Sequence, residues 1–340
     1  MKRLLACITL AASALWSGCS GAPPTEAQFA GLIHQIQNAP NLVAHSGVRR
    51  VESYYTFNDI LQPEIYREEV IADGHGQFRI NPITQVQGNI ATPTEFKALH
   101  FARMGFHWRY RDFLVRDLGA FGNNYTLTAY GQIETIAGRT CHQVRVERKD
   151  LSAAYEVALD TATGLVLRYR QYDERGALYS LMEYETYNPT PDLTGVEFHK
   201  PRNGEVPLVN VADLGFTPVT PKILADSAYT FLEGTIVNHP LTGEKVAKLT
   251  FTDGVETIFF LDLGPSKGVP APATKPSAKA QTSLAGMNSQ EALFKMDVLR
   301  LFHEGPLSVM WGHIGGHSLV ALGKTPHSGL QMMLESAVIE

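Results

Sequence analysis

Between Tyr125 and Tyr187 apolar and polar residues alternate in successive short runs, and this pattern constrains the fold more than anything else in the chain. Val144 and Val146 alternate with Gln143, Arg145 and Glu147; then come Tyr155, Val157 and Leu159, then Leu165, Leu167 and Tyr169, then Met182 and Tyr184. Successive side chains of a strand point to opposite faces, so a period of two gives each strand one apolar and one polar face. The joins carry turn chemistry: Ala137-Gly138, Asp160 to Gly164, and Asp173-Glu174-Arg175-Gly176. The pattern predicts an antiparallel meander with one buried face and one solvated face. On the solvated face Arg145, Arg168 and Arg170 fall near Glu183 and Glu185, which reads as ordinary cross-strand pairing.

Upstream, Thr25-Glu26-Ala27-Gln28 reads as a capping box, and Phe29, Leu32, Ile33 and Ile36 form one apolar helical stripe that Pro40 is expected to end. A helix this short is stable only when that stripe packs, most simply on a sheet. Strands are predicted at Val51–Phe57 and Tyr66–Ala72, and a short helix over 93–104. Asn188 to about Asp213 carries four prolines and no period, and reads as a linker. Beyond it, Tyr229–Val237 and Lys245–Thr252 read as strands. Thr252-Asp253-Gly254-Val255 reads as a two-residue hairpin turn into a further alternating run. Pro265 to Gly286 has almost no large apolar residue and is expected to be disordered. A helix is expected over 289–303, and two strands meeting at Gly315-Gly316 come next. A closing helix starts at Thr325-Pro326 and carries Leu330, Met333, Leu334, Ala337 and Val338 on its stripe.

The N-terminus decides the compartment. Lys2 and Arg3 precede an apolar run and then Ser17-Gly18-Cys19, the layout of a secretory signal and too short for a membrane span. Small residues before a Cys resemble the lipobox of bacterial lipoproteins, which implies that Cys19 carries a lipid anchor; ordinary cleavage with a free Cys19 is the alternative. Either outcome places the protein outside the cytoplasm, away from ATP, NAD and the chromosome. A net charge of −5 gives no footprint for nucleic-acid binding. Of the three cysteines, Cys7 leaves with the signal and Cys19 is used if lipidated. Cys141 is then without a partner and reads as a small buried residue rather than a nucleophile.

With these elements in place, the chain resembles the periplasmic regulators of the sigma-E envelope-stress response, the RseB/MucB type. The resemblance rests on Gly131 to Cys141, Tyr155 to Gly164 and Leu167 to Gly176, which follow that family's strand-and-turn sequence. Phe216-Thr217-Pro218, Phe251-Thr252-Asp253-Gly254 and Val320 to Pro326 look like pieces of its C-terminal domain, in the same order. The family's N-terminal domain is similar to lipoprotein carriers of the LolA/LolB type. The resemblance therefore implies an α+β protein: an N-terminal half-open antiparallel β-barrel covered by helices, then a smaller α+β domain with an antiparallel sheet and a C-terminal helix. The expected division is residues 1–18 as signal peptide, 19–189 as the half-barrel, 190–212 as linker and 213–340 as the C-terminal domain, with the insertion near 265–286. Two features depart from the regulators: the lipobox, which is closer to the anchored LolB type, and that insertion.

No reaction chemistry stands out. His313-Ile314-Gly315-Gly316-His317 has the spacing of a metal pair, but two His at i and i+4 share a face only on a helix, and Gly-Gly argues for a turn. His142 reads as a structural His. No Gly-rich phosphate loop and no nucleophile–base spacing occurs. The aromatic cluster Phe101, Phe106, Trp108, Tyr110 and Phe113 is either core or a lining for acyl chains. The expectation is thus a non-enzymatic envelope binding protein with no cofactor and no metal. The resemblance implies two partners: the periplasmic segment of a membrane-bound anti-sigma factor, and a lipid or lipopolysaccharide. A lipidated Cys19 would hold it at the outer membrane. The alternative is an outer-membrane-anchored carrier or acceptor of lipids or lipoproteins; a secreted hydrolase is disfavoured.

Overall fold

The computed structural model describes residues 26–57, 60–88, 92, 94, 111–198, 205–222, 227–238, 243–265, 308–323 and 327–339. Cys19, Phe101, Phe106, Trp108 and Tyr110 lie outside the described residues, as do all but residue 94 of the helix expected at 93–104, the helix expected at 289–303, most of the 265–286 insertion, and Thr325-Pro326.

Helix α1 (Glu26–Leu42) turns Leu32, Ile33 and Ile36 into the core, as the stripe requires. It corrects one expectation: Pro40 does not stop it. Pro40 sits in the last turn, where its missing N–H costs one bond, and the Val43 N–H closes the helix on the Ala39 carbonyl at 3.0 Å.

Eight strands follow: β1 (Ala44–Phe57), β2 (Ile60–Asp73), β3 (Phe78–Gln87), β4 (Tyr125–Ile136), β5 (Arg139–Arg148), β6 (Ala153–Asp160), β7 (Val166–Asp173) and β8 (Leu178–Tyr184). They form one antiparallel sheet in the order β3-β2-β1-β8-β7-β6-β5-β4. The chain thus makes two meanders and joins them through β1 and β8, where Val51 faces Met182 and Arg49 faces Tyr184. β3 and β4 are opposite edges that do not pair, so the sheet is open and no closed barrel forms. Ala137 and Gly138 both take positive φ between β4 and β5, the two-residue hairpin geometry that their sequence asks for. The buried face carries Val144, Val146, Tyr155, Val157, Leu167, Tyr169, Met182 and Tyr184, together with α1. The outer face carries the charges: Arg168 reaches Glu134 at 2.5 Å, and Arg145 reaches Glu147 at 2.6 Å.

The segment after β3 leads through residues 111–117 into helix α2 (Leu118–Asn124), capped by Asp117, whose carboxylate accepts the Ala120 N–H at 2.6 Å.

A second sheet has six strands, in the order β14-β15-β13-β12-β11-β9. Their ranges are β9 (Val206–Pro207), β11 (Thr230–Asn238), β12 (Lys245–Thr252), β13 (Thr257–Pro265), β14 (Ser308–Ile314) and β15 (His317–Gly323). β9 adds to the β11 edge from inside the stretch expected to be linker. One face packs Ile258, Phe260, Leu319 and Ala321 against Leu330, Met333 and Leu334 of helix α3 (His327–Glu335); the other buries Phe259, Leu261, Trp311, Val320 and Leu322. Here the sequence reading needs a second correction. Ala337 and Val338 are not on the closing helix: Ala337–Ile339 is strand β16, antiparallel to β10 (Val219–Pro221). The helix ends where the Ser336 N–H reaches the Met332 carbonyl, and Ser336 then accepts from the Lys222 N–H, both at 3.0 Å.

A third correction concerns the turn between β12 and β13. Thr252 pairs with Thr257, so the loop is four residues, Asp253–Glu256, rather than two. Asp253 spreads it open from within, its Oδ1 accepting the N–H groups of Val255 (3.1 Å) and Glu256 (2.8 Å).

Candidate functional site

A cavity of about 710 Å³ lies against the buried face of the first sheet. That is within the range of about 300–1,000 Å³ usual for small-molecule sites. Gln37, Asn38 and Asn41 of α1 form one wall; β1 to β3 give Arg49, Val70 and Ile80; residues 112–116 and Leu165-Val166 give further sides, and Met182 and Tyr184 of β8 complete the floor. Leu232 and Glu233 of the second sheet also line it, so the cavity sits where the two sheets meet. Phe113 lines it too and packs at 5.1 Å from the Tyr155 ring, with only 5% of its surface exposed. Of the five aromatic residues singled out in the sequence, it is the one among the described residues.

Its floor holds a charge network of two arginines and two carboxylates. Arg49 faces Glu68 directly across β1 and β2. Arg49 Nε donates to Glu68 at 2.5 Å and Nη1 donates to Asp112 at 2.7 Å. Arg111 donates to the same two carboxylates, Nη2 to Glu68 at 2.6 Å and Nε to Asp112 at 3.0 Å, and its Nη1 reaches the Tyr66 hydroxyl at 2.8 Å. Two guanidiniums and two carboxylates therefore close a ring in which each carboxylate bridges both cations, the arrangement that makes buried charge tolerable. Burial alone would raise the Asp112 carboxyl, but Arg111 and Arg49 override it and hold it below the usual carboxylate range. Burial likewise opposes the charge on Arg49, and Asp112 and Glu68 more than restore it.

His45 sits beside this ring. Its Nδ1 is 2.9 Å from the Val43 carbonyl, which can only accept, so Nδ1 carries the proton and Nε2 accepts from the Tyr184 hydroxyl at 2.9 Å. Burial pushes His45 down to about 4, against the Val43 hydrogen bond and with Arg49 lowering it further, so the imidazole is neutral near pH 7.

The Asp253–Glu256 loop docks at the end of the first sheet. The Arg116 N–H donates to the Gly254 carbonyl at 2.8 Å, and its guanidinium reaches the Val255 carbonyl. Asn124 Nδ2 bridges the carbonyls of Ala228 (2.7 Å) and Asp253 (2.9 Å). Tyr125 donates to the Asp253 carboxylate at 2.8 Å, and Tyr155 and Gln171 both donate to Glu256 at 2.5 Å. Arg148 approaches Asp253 at 3.5 Å and lies over the Tyr229 ring. Gly254 has φ +109, and a Cβ there would lie 2.3 Å from the Phe121 backbone nitrogen. Val255 enters the core of the first sheet. Because Asp112 and Arg116 belong to one short segment, the floor of the cavity and the interdomain loop are held by the same stretch of chain.

The other sequence candidates are placed elsewhere. Gly315 and Gly316 make a two-residue turn, so His313 faces Ser318 and His317 faces Ile314 across the hairpin. His313 is exposed, whereas buried His317 pairs with the Asp262 carboxylate at 2.9 Å. Among the described residues no three His, Cys, Asp or Glu come together as a metal site. Cys141 is fully buried, and burial pushes its thiol up to about 11, which leaves it protonated and unreactive. No helix among the described residues is long and apolar enough to cross a membrane.

Comparisons with known proteins agree with this architecture. The family model of the MucB/RseB N-terminal domain matches residues 97–200. The solved complex of MucA and MucB from Pseudomonas aeruginosa contains a chain that is 15% identical, with a TM-score of 0.51 over 91% of this chain and 98% of that one. A crystal structure of MucB is 17% identical, with a TM-score of 0.50 over 93% of this chain and all of that one. No curated protein matches the sequence. At such identities the structural likeness is one of fold, and it spans both sheets. The chain therefore carries a segment, residues 97–200, that matches the MucB/RseB N-terminal domain, and has the fold of MucB over most of its length.

Proposed function

We propose that this chain is a cell-envelope regulator that binds the periplasmic segment of a membrane-bound anti-sigma factor and is released from it by a lipid or lipopolysaccharide entering the cavity. It is a binding protein and not an enzyme. The observation that carries the reading is the fold: it is that of MucB, and MucB has been solved in complex with MucA. The cavity supports the second half. Its wall is largely apolar, and residues of both sheets line it. A ligand that prefers one arrangement of the two sheets weakens a partner that prefers the other, by the difference in its affinity for the two states. In this reading residues 19–189 form the ligand-binding half-barrel, with Phe101, Phe106, Trp108, Tyr110 and Phe113 lining the acyl site. Residues 213–340 form the second domain after the 190–212 linker, and a lipidated Cys19 anchors this periplasmic protein to the outer membrane.

Native mass spectrometry of the protein, released from its own envelope in mild detergent, tests this. A stoichiometric single-span membrane protein whose binding falls as lipopolysaccharide is added is the expected result. Bound acyl lipid or lipoprotein with no protein partner would instead favour a carrier.

A further inference from the structure

We infer that the second sheet is a latched lid on the cavity: the bulge of β11 walls one side of it, and the docked Asp253–Glu256 loop has to part from the first sheet before a ligand enters or leaves. The inference rests on the cavity being a ligand site, as read above, and adds what governs access to it. Leu232 and Glu233 line the cavity from the second sheet, whereas its other lining residues all lie between 37 and 184. The pairing of β11 with β12 shifts register between Phe231 and Glu233, so Leu232 has no counterpart on β12. Such a bulge bends its strand and re-aims the side chain. Here it leaves Leu232 37% exposed at the cavity wall. Docking of the second sheet therefore supplies that wall, and its departure removes it.

The contacts of the latch suit opening. Among the described residues, Val255 is the one side chain from beyond residue 190 in the apolar core of the first sheet. The loop is otherwise held mainly by hydrogen bonds, from the Arg116 N–H, Asn124 and Tyr125 among others. Domains of one chain that meet through a polar contact move relative to each other unless the interface is large and apolar. Residues 190–198, which lead from the first sheet toward the second, include no buried residue, so that stretch does not clamp the sheets together. Arg116 joins the latch to the cavity. It lines the cavity, and its guanidinium donates to the Asp112 and Leu114 carbonyls of its own segment and to the Val255 carbonyl of the loop. Binding that waits on such an opening is slower than diffusion allows, and closure then holds the ligand in.

Stopped-flow fluorescence with N-phenyl-1-naphthylamine, a neutral apolar dye that brightens on leaving water, tests this on the full chain. The variants are Asn124→Ala and Tyr125→Phe, which loosen the loop but do not line the cavity. Each weakens the latch in the empty and the filled protein alike. Association and dissociation of the dye should therefore both quicken, by about fivefold or more, with the dissociation constant nearly unchanged. Tyr125→Phe keeps its ring in the core and serves if Asn124→Ala does not fold. Leu232→Asp, a charge at a part-exposed point of the wall, should weaken binding of the dye. Faster release with unchanged entry would mean only lost contacts and would overturn the lid, as would rates that neither latch variant moves. Affinity untouched by Leu232→Asp would show that the bulge does not wall the bound dye, and would overturn it too. A native protein that binds no dye would overturn the cavity as a ligand site, a different failure from an unlatched cavity.

Discussion

Tyr125 donates its hydroxyl to the Asp253 carboxylate at 2.8 Å, across 128 residues of chain, and so ties the first strand of the second meander to the loop between β12 and β13. Both groups are buried. The pair is the centre of a polar contact in which Arg148, Tyr155, Gln171 and Glu256 also take part. Tyr125→Phe should therefore lower stability by about 1.5–3 kcal/mol, the usual worth of a hydrogen bond to a buried charge. Urea denaturation of Tyr125→Phe, Asp253→Asn and the double variant measures it. The sum of the two single losses should exceed the loss in the double variant, because each single change breaks the same bond. Full additivity would mean that the loop is held by other contacts.

Gly254 has no room for a side chain. Its φ of +109 disfavours any L residue, and the added carbon would meet the Phe121 backbone. Gly254→Ala is expected to cost at least about 1–3 kcal/mol through backbone strain alone. Limited proteolysis should show the two sheets parting in this variant, with faster cleavage in the segment 190–198 that leads from the first sheet toward the second. Unchanged cleavage would contradict the close approach.

Acid should weaken the first domain through His45. Its folded value of about 4 lies below the ordinary 6.5, so between these values the unfolded chain takes up a proton that the folded chain excludes. Stability from this group is therefore complete above about pH 6.5 and is lost as pH falls toward 4, by roughly 3 kcal/mol in all. Denaturation midpoints at pH 7 and pH 4.5 should differ less in His45→Gln than in the native chain. An equal fall in both would remove His45 as the cause.

The N-terminal proposal has its own check. If Cys19 carries the lipid, Cys19→Ala should move the protein from the membrane fraction to the soluble periplasmic fraction without affecting its fold. A protein that is soluble in both forms would mean ordinary cleavage.

The strands were legible because alternation at Val144–Val146, Tyr155–Leu159 and Leu167–Tyr169 reports a local geometry, one face in and one face out. Boundaries depended on partners that sequence does not display. Ala337–Ile339 pairs with Val219–Pro221, more than a hundred residues earlier, and that distant edge makes a strand of what its spacing offered to a helix. Asp253-Gly254 has the composition of a tight hairpin, yet Tyr125 and Tyr155 hold the loop open from another sheet. The ring of Arg49, Glu68, Arg111 and Asp112 likewise depends on partners from separate parts of the chain. Arg111 and Asp112 sit in irregular chain, and Arg49 occupies an inward position of β1 where alternation leads one to expect an apolar residue. That mismatch, a charge at the inward parity of Val51, is the signal that could have found it. Phe113 stands in an aromatic run that is conspicuous in the sequence whatever its neighbours do.

The central claim is tested most directly by binding of the purified chain to the periplasmic segment of a single-span anti-sigma factor from the same cell, with and without lipopolysaccharide. The account predicts a one-to-one complex whose affinity falls about 5–150-fold when lipopolysaccharide is present, the usual span of coupling between two sites. A complex indifferent to lipopolysaccharide would contradict the coupling, and no complex at all would contradict the regulator reading.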